Sequence, residues 1–291
     1  MGARMPERRE PAEAARVRLE LSGSRLSEAL ARLVAGCEPQ GGVERYVEAL
    51  KLKGALFRDA LGARGEYAAA LEPEVFKGLC PFMATVRRRI APWLARPAFD
   101  ALRADVLELL RALGDPTGVD ARLGAFGGGF AGGERERWVR DLAAELLHNV
   151  SPERFPLMSR WVWDAAANTG VLREIWFSEG SEFERIGVAD TCATFLTLRE
   201  ELSQFLTGKG FFRDVIHYVD LLCAQVYAEY ICEQGGSYLR TDFTAEEDPL
   251  QYTRRLLGLD GVKPGTRRTR LKTLDGEAFV LTDTPARRLL D

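Results

Sequence analysis

Histidine is scarce in this sequence, and cysteine occurs without a functional pattern. The 291 residues include two histidines, His148 and His217, so imidazole chemistry is limited to two positions. The five cysteines form no CxxC pair and have no regular spacing, which argues against both a disulfide framework and a thiolate zinc site. We interpret them as small hydrophobic residues of the core.

Long apolar runs and a dominant charge are missing too. No stretch of about 18 uninterrupted apolar residues occurs, which argues against a transmembrane helix. The first 20 residues lack the apolar segment of a secretory signal, so we expect a cytoplasmic protein with no membrane partner. The 40 Lys and Arg residues nearly balance the 43 Asp and Glu residues, and 46% of the chain is hydrophobic. This composition predicts a folded globular protein.

Helical periodicity is the main positive signal. Apolar residues recur every three to four positions, and residues typical of helix ends often flank these segments. The predicted helices cover residues 24–36, 43–61, 74–94, 97–114, 134–148, 182–206, 212–234 and 249–257, with a tryptophan-rich helix that ends near Asn168. Pro81 predicts a kink or break in its helix. The short connection before residue 212 predicts an antiparallel pair in a mainly α protein.

A glycine-rich stretch divides the predicted helices into two groups. Residues 114–133 contain eight glycines, a density that disfavours the interior of a helix or strand, so we predict a flexible linker or loop. The predicted organisation is a disordered N-terminus (1–14), two helical domains (15–113 and 134–260), the linker between them, and a tail (261–291). A GxGxxG pattern falls within the linker, at Gly127, Gly129 and Gly132. No strand precedes it, so it does not predict a nucleotide site.

The tail has a pattern of its own. Alternating residues flank Asp275 and Gly276, which predicts a β-hairpin over about 267–283. Four basic residues fall on its first predicted strand, namely Arg267, Arg268, Arg270 and Lys272. A basic ribbon of this kind is able to follow nucleic-acid phosphates. The alternative is that these charges protect an exposed strand edge against aggregation.

Both histidines follow a carboxylate by three residues. Glu145 precedes His148 and Asp214 precedes His217, so each pair would share a helix face. Two such pairs, joined by carboxylates of two other helices, are how helical bundles hold two iron or manganese ions. The candidates for the remaining ligands are Asp105 or Glu108, and Glu200 or Glu201. The alternative interpretation is ordinary salt bridges and a protein without a cofactor.

A polar series along the last long helix is a related feature. It consists of His217, Asp220, Cys223, Tyr227 and Tyr230. A His–Asp pair is suited to acid–base chemistry, but no nucleophile lies on the same face. We interpret this helix as part of the core or of an interface.

A cluster of aromatic and basic residues is the candidate for binding another protein. It comprises Arg154, Phe155, Trp161 and Trp163, which are residue types that dominate protein interfaces. Burial in the core is the alternative. Because the sequence contains no recognisable nucleophile, phosphate loop or thiolate site, we predict an adaptor, regulator or assembly factor that acts through protein–protein contacts. A di-metal enzyme and a nucleic-acid-associated protein are the two alternatives, and whether the protein is an enzyme is left open.

Overall fold

A computed structural model describes residues 17–130, 137–177, 185–238, 248–260, 270–272 and 278–280, and shows a mainly helical protein. The α-helices within these residues are α1 (Gly23–Cys37), α2 (Glu44–Leu61), α3 (Pro73–Leu79), α4 (Ala98–Leu110), α5 (Val119–Ala125), α6 (Arg137–Val150), α7 (Val171–Glu174), α8 (Cys192–Gly208), α9 (Val215–Tyr238) and α10 (Pro249–Leu256). The mainly α fold class is thereby confirmed. The predicted disordered segment 1–14 lies outside the described residues.

Helix ends follow from local chemistry at several places. The side chain of Ser22 accepts a hydrogen bond from the backbone N–H of Arg25 and thereby caps α1. Asp248 caps α10 in the same way through the N–H of Leu250. The break that Pro81 predicts is present, because α3 ends at Leu79 and a short 3₁₀ turn follows.

Helix α9 lies at the centre of the fold. It packs against α1, α2, α7, α8 and α10, and residues 218–226 are buried without interruption. Successive side chains point in all directions around a helix, so an unbroken buried run means that neighbours cover every face. Any polar side chain in this run therefore needs a partner inside the protein.

The two predicted helical domains share one hydrophobic core. Buried side chains of both, such as Leu33 and Phe57 in the first and Leu142 and Leu222 in the second, belong to a single cluster. Helices α1 and α2 contact α9 directly. Whether each part also folds alone stays a prediction.

The glycine-rich segment contains a helix and is held in place by burial and by hydrogen bonds to Asp105. Helix α5 lies inside the predicted linker, and its Val119 and Leu123 are buried. The Oδ2 of Asp105 accepts hydrogen bonds of 3.1 Å from the N–H groups of both Gly127 and Gly129. Residue 129 has to be small, because a Cβ there would lie 2.8 Å from Asp105 Oδ1. The protein's own carboxylate thus occupies these backbone donors, where a phosphate loop would leave them open.

Three predicted helices differ from the structure. After α3, the rest of the predicted helix over 74–94 forms turns and two 3₁₀ turns. The tryptophan-rich segment forms turns, because Asp164 and Thr169 pair through their backbones and close a tight loop. Helix α8 begins at Cys192, about ten residues later than predicted, and residues 185–190 are not helical. The carboxylate of Asp120 accepts the N–H of Cys192 at 2.8 Å, which satisfies an unpaired donor of the first turn and places the helix start there.

The described part of the chain also contains two short strands. Strand β1 (Arg270–Lys272) pairs antiparallel with β2 (Ala278–Val280). Asp275, Gly276 and the outer residues of the predicted hairpin lie outside the described residues, so the hairpin over 267–283 stays a prediction. Among the described helices, none combines the length and the apolar character needed to span a bilayer.

Candidate functional site

Buried polar side chains collect where α2, α6 and α9 meet. Lys53 of α2, Glu145, His148 and Asn149 of α6, and Asp220 of α9 are all buried, and we call them the buried polar network. The three α6 residues stand at positions i, i+3 and i+4, which places them on one face of the helix. A buried charge costs several kcal/mol unless it is paired, so the partners of these groups decide whether the arrangement is stable.

Both ring nitrogens of His148 have partners. Its Nε2 lies 3.0 Å from Asp220 Oδ2, and its Nδ1 lies 2.9 Å from the backbone oxygen of Phe155. A carboxylate and a carbonyl only accept hydrogen bonds, so both nitrogens donate and the ring is a cation paired with Asp220. Burial lowers the pKa of His148, but the charge and hydrogen bond of Asp220, helped by Phe155 and Glu145, outweigh burial and leave the pKa raised.

The other half of the network is a second buried ion pair. Lys53 Nζ donates to Glu145 Oε2 at 3.1 Å and to the backbone oxygen of Leu257 at 3.0 Å. Asn149 Nδ2 donates to the same Oε2 at 2.9 Å and to the Glu145 backbone oxygen. These bonds join α2, α6 and the end of α10, so the network fixes the relative positions of three helices.

A polar cavity of about 210 Å³ adjoins this network. Its charged or ionisable lining residues are Lys51, Arg58, His148, Glu153, Asp214, His217 and Asp220. On the other side of the His148–Asp220 pair, an apolar crevice has a volume of about 20 Å³, which is enough for about one water molecule. Of these two, the polar cavity is the one large enough for a ligand.

His217 differs from His148 in having no partner for its ring. Its Nδ1 is buried without a hydrogen bond, and neither ring nitrogen bonds to a residue that the structure describes. The residue lines the polar cavity. Burial is the main cause that lowers the pKa of His217, and the neighbouring His148 and Lys51 act in the same direction against Asp220 and Asp214. The ring is therefore neutral at pH 7 and is able to accept a hydrogen bond or a proton.

Arg58 is the second group of the cavity wall without a partner. In the described part of the chain, no carboxylate lies within ion-pair distance of its guanidinium. Gly54 allows this position, because a Cβ there would lie 3.1 Å from an Arg58 guanidinium nitrogen and 3.3 Å from the Asn149 backbone oxygen. The glycine thus lets the Arg58 side chain lie close to the backbone of its own helix.

The residues of the predicted di-metal site are close together but do not form a ligand set. Glu145 is bonded to Lys53 and Asn149, both nitrogens of His148 are occupied, and Asp214 lies 3.5 Å from Lys51 Nζ. Among the described residues, no group of three or more His, Cys, Asp or Glu side chains is placed to hold a metal ion. The residues present do not fit a di-iron or di-manganese centre.

The proposed additional ligands are elsewhere. Asp105 holds the glycine-rich segment, and Glu108 pairs with Arg111 and Arg122. Glu200 accepts a hydrogen bond from Gln204 on the same helix. The carboxylate-x-x-His spacing correctly placed Glu145 and His148 on one face of α6. It was wrong for the second pair, because Asp214 has a left-handed backbone and lies before α9, which begins at Val215.

The predicted protein-binding cluster lies in the core. Phe155, Trp161 and Trp163 are buried, and the guanidinium of Arg154 donates to the backbone oxygen of Leu113. These aromatic side chains are not available on the surface, so the alternative of core burial describes them. Their burial follows from the turns of residues 151–170, which fold the segment back onto α9.

The predicted nucleic-acid residues are only partly within the structure. Arg267 and Arg268 lie outside the described residues, and Arg270 and Lys272 belong to β1.

Nothing in the sequence indicated that Arg58 and Lys53 belong to the site, because a cation in an amphipathic helix is ordinarily a surface residue.

Comparison of the chain with protein-family models gave no match, and comparison with curated proteins and with solved structures gave no significant match.

Proposed function

We propose that the protein binds a small polar molecule in the cavity between α2, α6 and α9. The observation that carries this proposal is His217, a neutral imidazole in the cavity wall whose ring nitrogens have no partner among the described residues. A buried polar atom without a hydrogen bond costs about 1–3 kcal/mol, and such atoms are rare in native proteins. A bound molecule would give this ring a hydrogen-bond partner that the described residues do not supply.

The cavity has the features of a binding site. Its volume of about 210 Å³ exceeds that of an engineered 150 Å³ cavity that binds benzene. His148, Asn149 and Asp220 of the buried polar network line it, and the paired groups of the network hold this part of the wall rigid. Asp214, at the rim, has a left-handed backbone with φ of 53°, a conformation that non-glycine residues adopt mainly at turns and functional sites.

The proposal differs from the function that the sequence favoured. An adaptor role through protein–protein contacts, and nucleic-acid binding by the tail, stay predictions. The aromatic cluster that motivated the first of these is buried. The cytoplasmic location stays a prediction as well.

Nuclear magnetic resonance of the histidine rings provides the test. With only two histidines, the imidazole signals of ¹⁵N-histidine-labelled protein are assigned by comparing the protein with its His217→Gln variant. A panel of neutral, cationic, anionic and zwitterionic small molecules is then titrated at constant ionic strength. We expect members of one class to shift the His217 signals in a saturable way and to leave those of His148 nearly unchanged.

The same titration also defines the result that would contradict the proposal. If no class in the panel moves the His217 signals, the cavity is not a binding site for small polar molecules. Phe212, an exposed aromatic residue two positions before Asp214, provides a control, since it does not line the cavity and its replacement by Ser should leave the titration unchanged.

A further inference from the structure

We infer that the molecule bound in the polar cavity carries a carboxylate or phosphate group and that the Arg58 guanidinium binds this group. This inference rests on the proposed function, because it assigns a chemical class to the ligand of the same cavity. Arg58 is partly buried in the wall of this cavity and has no ion pair within the described residues. A guanidinium presents a planar fork of donors that matches carboxylate and phosphate oxygens in pairs.

The other cations near the cavity already have partners. Lys51 Nζ lies 3.0 Å from Glu48 and 3.5 Å from Asp214. Arg199, beside the apolar crevice, donates to the backbone oxygen of Pro152 at 2.8 Å. Arg58 is therefore the cation of the described cavity wall that remains open to an anion from outside the chain.

Two of the three carboxylates in the described cavity wall already face a cation. Asp220 is paired with the His148 cation, and Asp214 faces Lys51. Glu153, an exposed residue at the rim, has no ion pair among the described residues. None of the three lies within ion-pair distance of Arg58, so an entering anion does not have to displace a carboxylate from it.

The start of α9 also lies in the cavity wall. Asp214 and His217, both in the cavity wall, flank the first residues of α9, which begins at Val215. The N-terminal end of a helix carries a partial positive charge, but here the Asp214 carboxylate lies beside it, so the preference for an anion rests on Arg58. A ligand with an anionic group at Arg58 and a hydrogen-bond donor towards His217 would use both of these groups of the wall.

Small anions test this inference in the full chain. Inorganic phosphate and acetate are titrated separately against the ¹⁵N-histidine-labelled protein, with sodium chloride held constant and methylammonium chloride as a cationic comparison. We expect one or both anions to shift the His217 signals and methylammonium to have no effect. A larger response to phosphate would assign the ligand to the phosphate class, and a larger response to acetate to the carboxylate class.

Variants connect the response to Arg58. The Arg58→Gln variant should weaken anion binding about ten- to a hundredfold, as expected for loss of a charged hydrogen-bonding pair. Gly54→Ala should also weaken binding, because the new Cβ displaces the Arg58 guanidinium without removing its charge. Arg64→Gln is the matched control, since this exposed residue follows α2 and its removal changes the net charge equally.

Each outcome separates the two proposals. If the anions bind Arg58→Gln as tightly as the unchanged protein, the assignment of Arg58 is wrong. If only neutral or cationic molecules shift the His217 signals, the ligand class is wrong but the cavity remains a binding site. If no molecule shifts them, both proposals fail. A folding check by circular dichroism accompanies each variant, and Arg58→Lys, which keeps the charge but not the planar fork, should bind with intermediate affinity.

Discussion

The two histidines both line the polar cavity but have opposite environments. His148 is buried, uses both ring nitrogens and is held as a cation by Asp220. His217 is partly buried, bonds through neither ring nitrogen to the described residues, and is kept neutral mainly by burial. The negative charge of Asp220 acts to raise the pKa of both rings. The difference between the two pKa shifts therefore arises from hydrogen bonding and geometry.

This difference separates groups that stabilise the fold from groups that are available for binding. A satisfied buried polar group contributes to a unique packing arrangement, and its loss leaves an unpaired partner. An unsatisfied buried group lowers the stability of the fold and can instead bind a group from outside the protein. The same contrast occurs in α2, where Lys53 belongs to the buried polar network and Lys51 lies at the cavity rim.

The largest expected effect on stability comes from removing the carboxylate that pairs with His148. Asp220→Ala leaves a cationic imidazole buried without its counter-charge, so the free energy of unfolding should fall by about 3–5 kcal/mol. Urea unfolding followed by circular dichroism measures this. Asp214→Asn, which keeps a side chain that tolerates a left-handed backbone, should cost less than about 1 kcal/mol. Equal losses in the two variants would remove the distinction between network and cavity rim.

The second effect concerns the two lysines of α2. Lys53→Met leaves the Glu145 carboxylate buried with Asn149 as its remaining partner, and should cost about 3 kcal/mol. Lys51→Met should cost less than about 1 kcal/mol, because its partners are exposed. Adding Glu145→Leu to Lys53→Met should recover much of the loss. A double variant that is less stable than Lys53→Met alone would contradict the assignment of an ion pair.

The third effect is pH dependence of opposite sign at the two rings. The pKa of His148 is raised above 6.5, so its contribution to stability is complete below about pH 6.5 and is lost as pH rises through the raised value. The pKa of His217 is lowered, so its contribution is present above about pH 6.5 and is lost as pH falls through the lowered value. Titration of the two imidazole signals should place them on opposite sides of pH 6.5. Relative to His217→Gln, the unchanged protein should lose stability in acid, and a gain there would refute the sign.

The smallest effect compares two arginines. Arg58→Gln should change the free energy of unfolding by less than about 0.5 kcal/mol, because no described ion pair is lost. Arg160→Gln should cost about 1–3 kcal/mol, because the guanidinium donates to the buried carboxylate of Asp141 at 3.1 Å. Thermal unfolding of both variants tests this difference. A destabilised Arg58→Gln protein would mean that Arg58 has a structural role in the cavity wall.

The sequence predicted the helices better than the contacts between them. The period of apolar residues and the residues at helix ends placed α1, α2, α4 and α10 within a few positions of their observed bounds. The start of α8 was missed, because it depends on Asp120, a residue 72 positions away in the chain. Helix boundaries set by distant side chains leave no signal in a local pattern.

The candidate site was visible only in part. The scarcity of histidine drew attention to His148 and His217, and helical spacing correctly placed Glu145 and His148 on one face. The spacing gave no indication that Lys53, 92 residues before Glu145, would neutralise it. Arg58 could not be singled out either, since its importance depends on partners that are missing in the described fold. Satisfied and unsatisfied polar groups look alike in a sequence.

The complete enclosure of α9 has a consequence for synthesis of the protein on the ribosome. Helices α1 and α2 bury apolar surface against a helix that ends at Tyr238, so the growing chain has to reach that residue before its early helices are covered. At about 5–20 residues per second, roughly 200 residues emerge after α1 while its apolar face lacks its final partner. Contacts between such distant segments also slow folding. During translation, the apolar faces of α1 and α2 that pack on α9 therefore stay uncovered until α9 has been made.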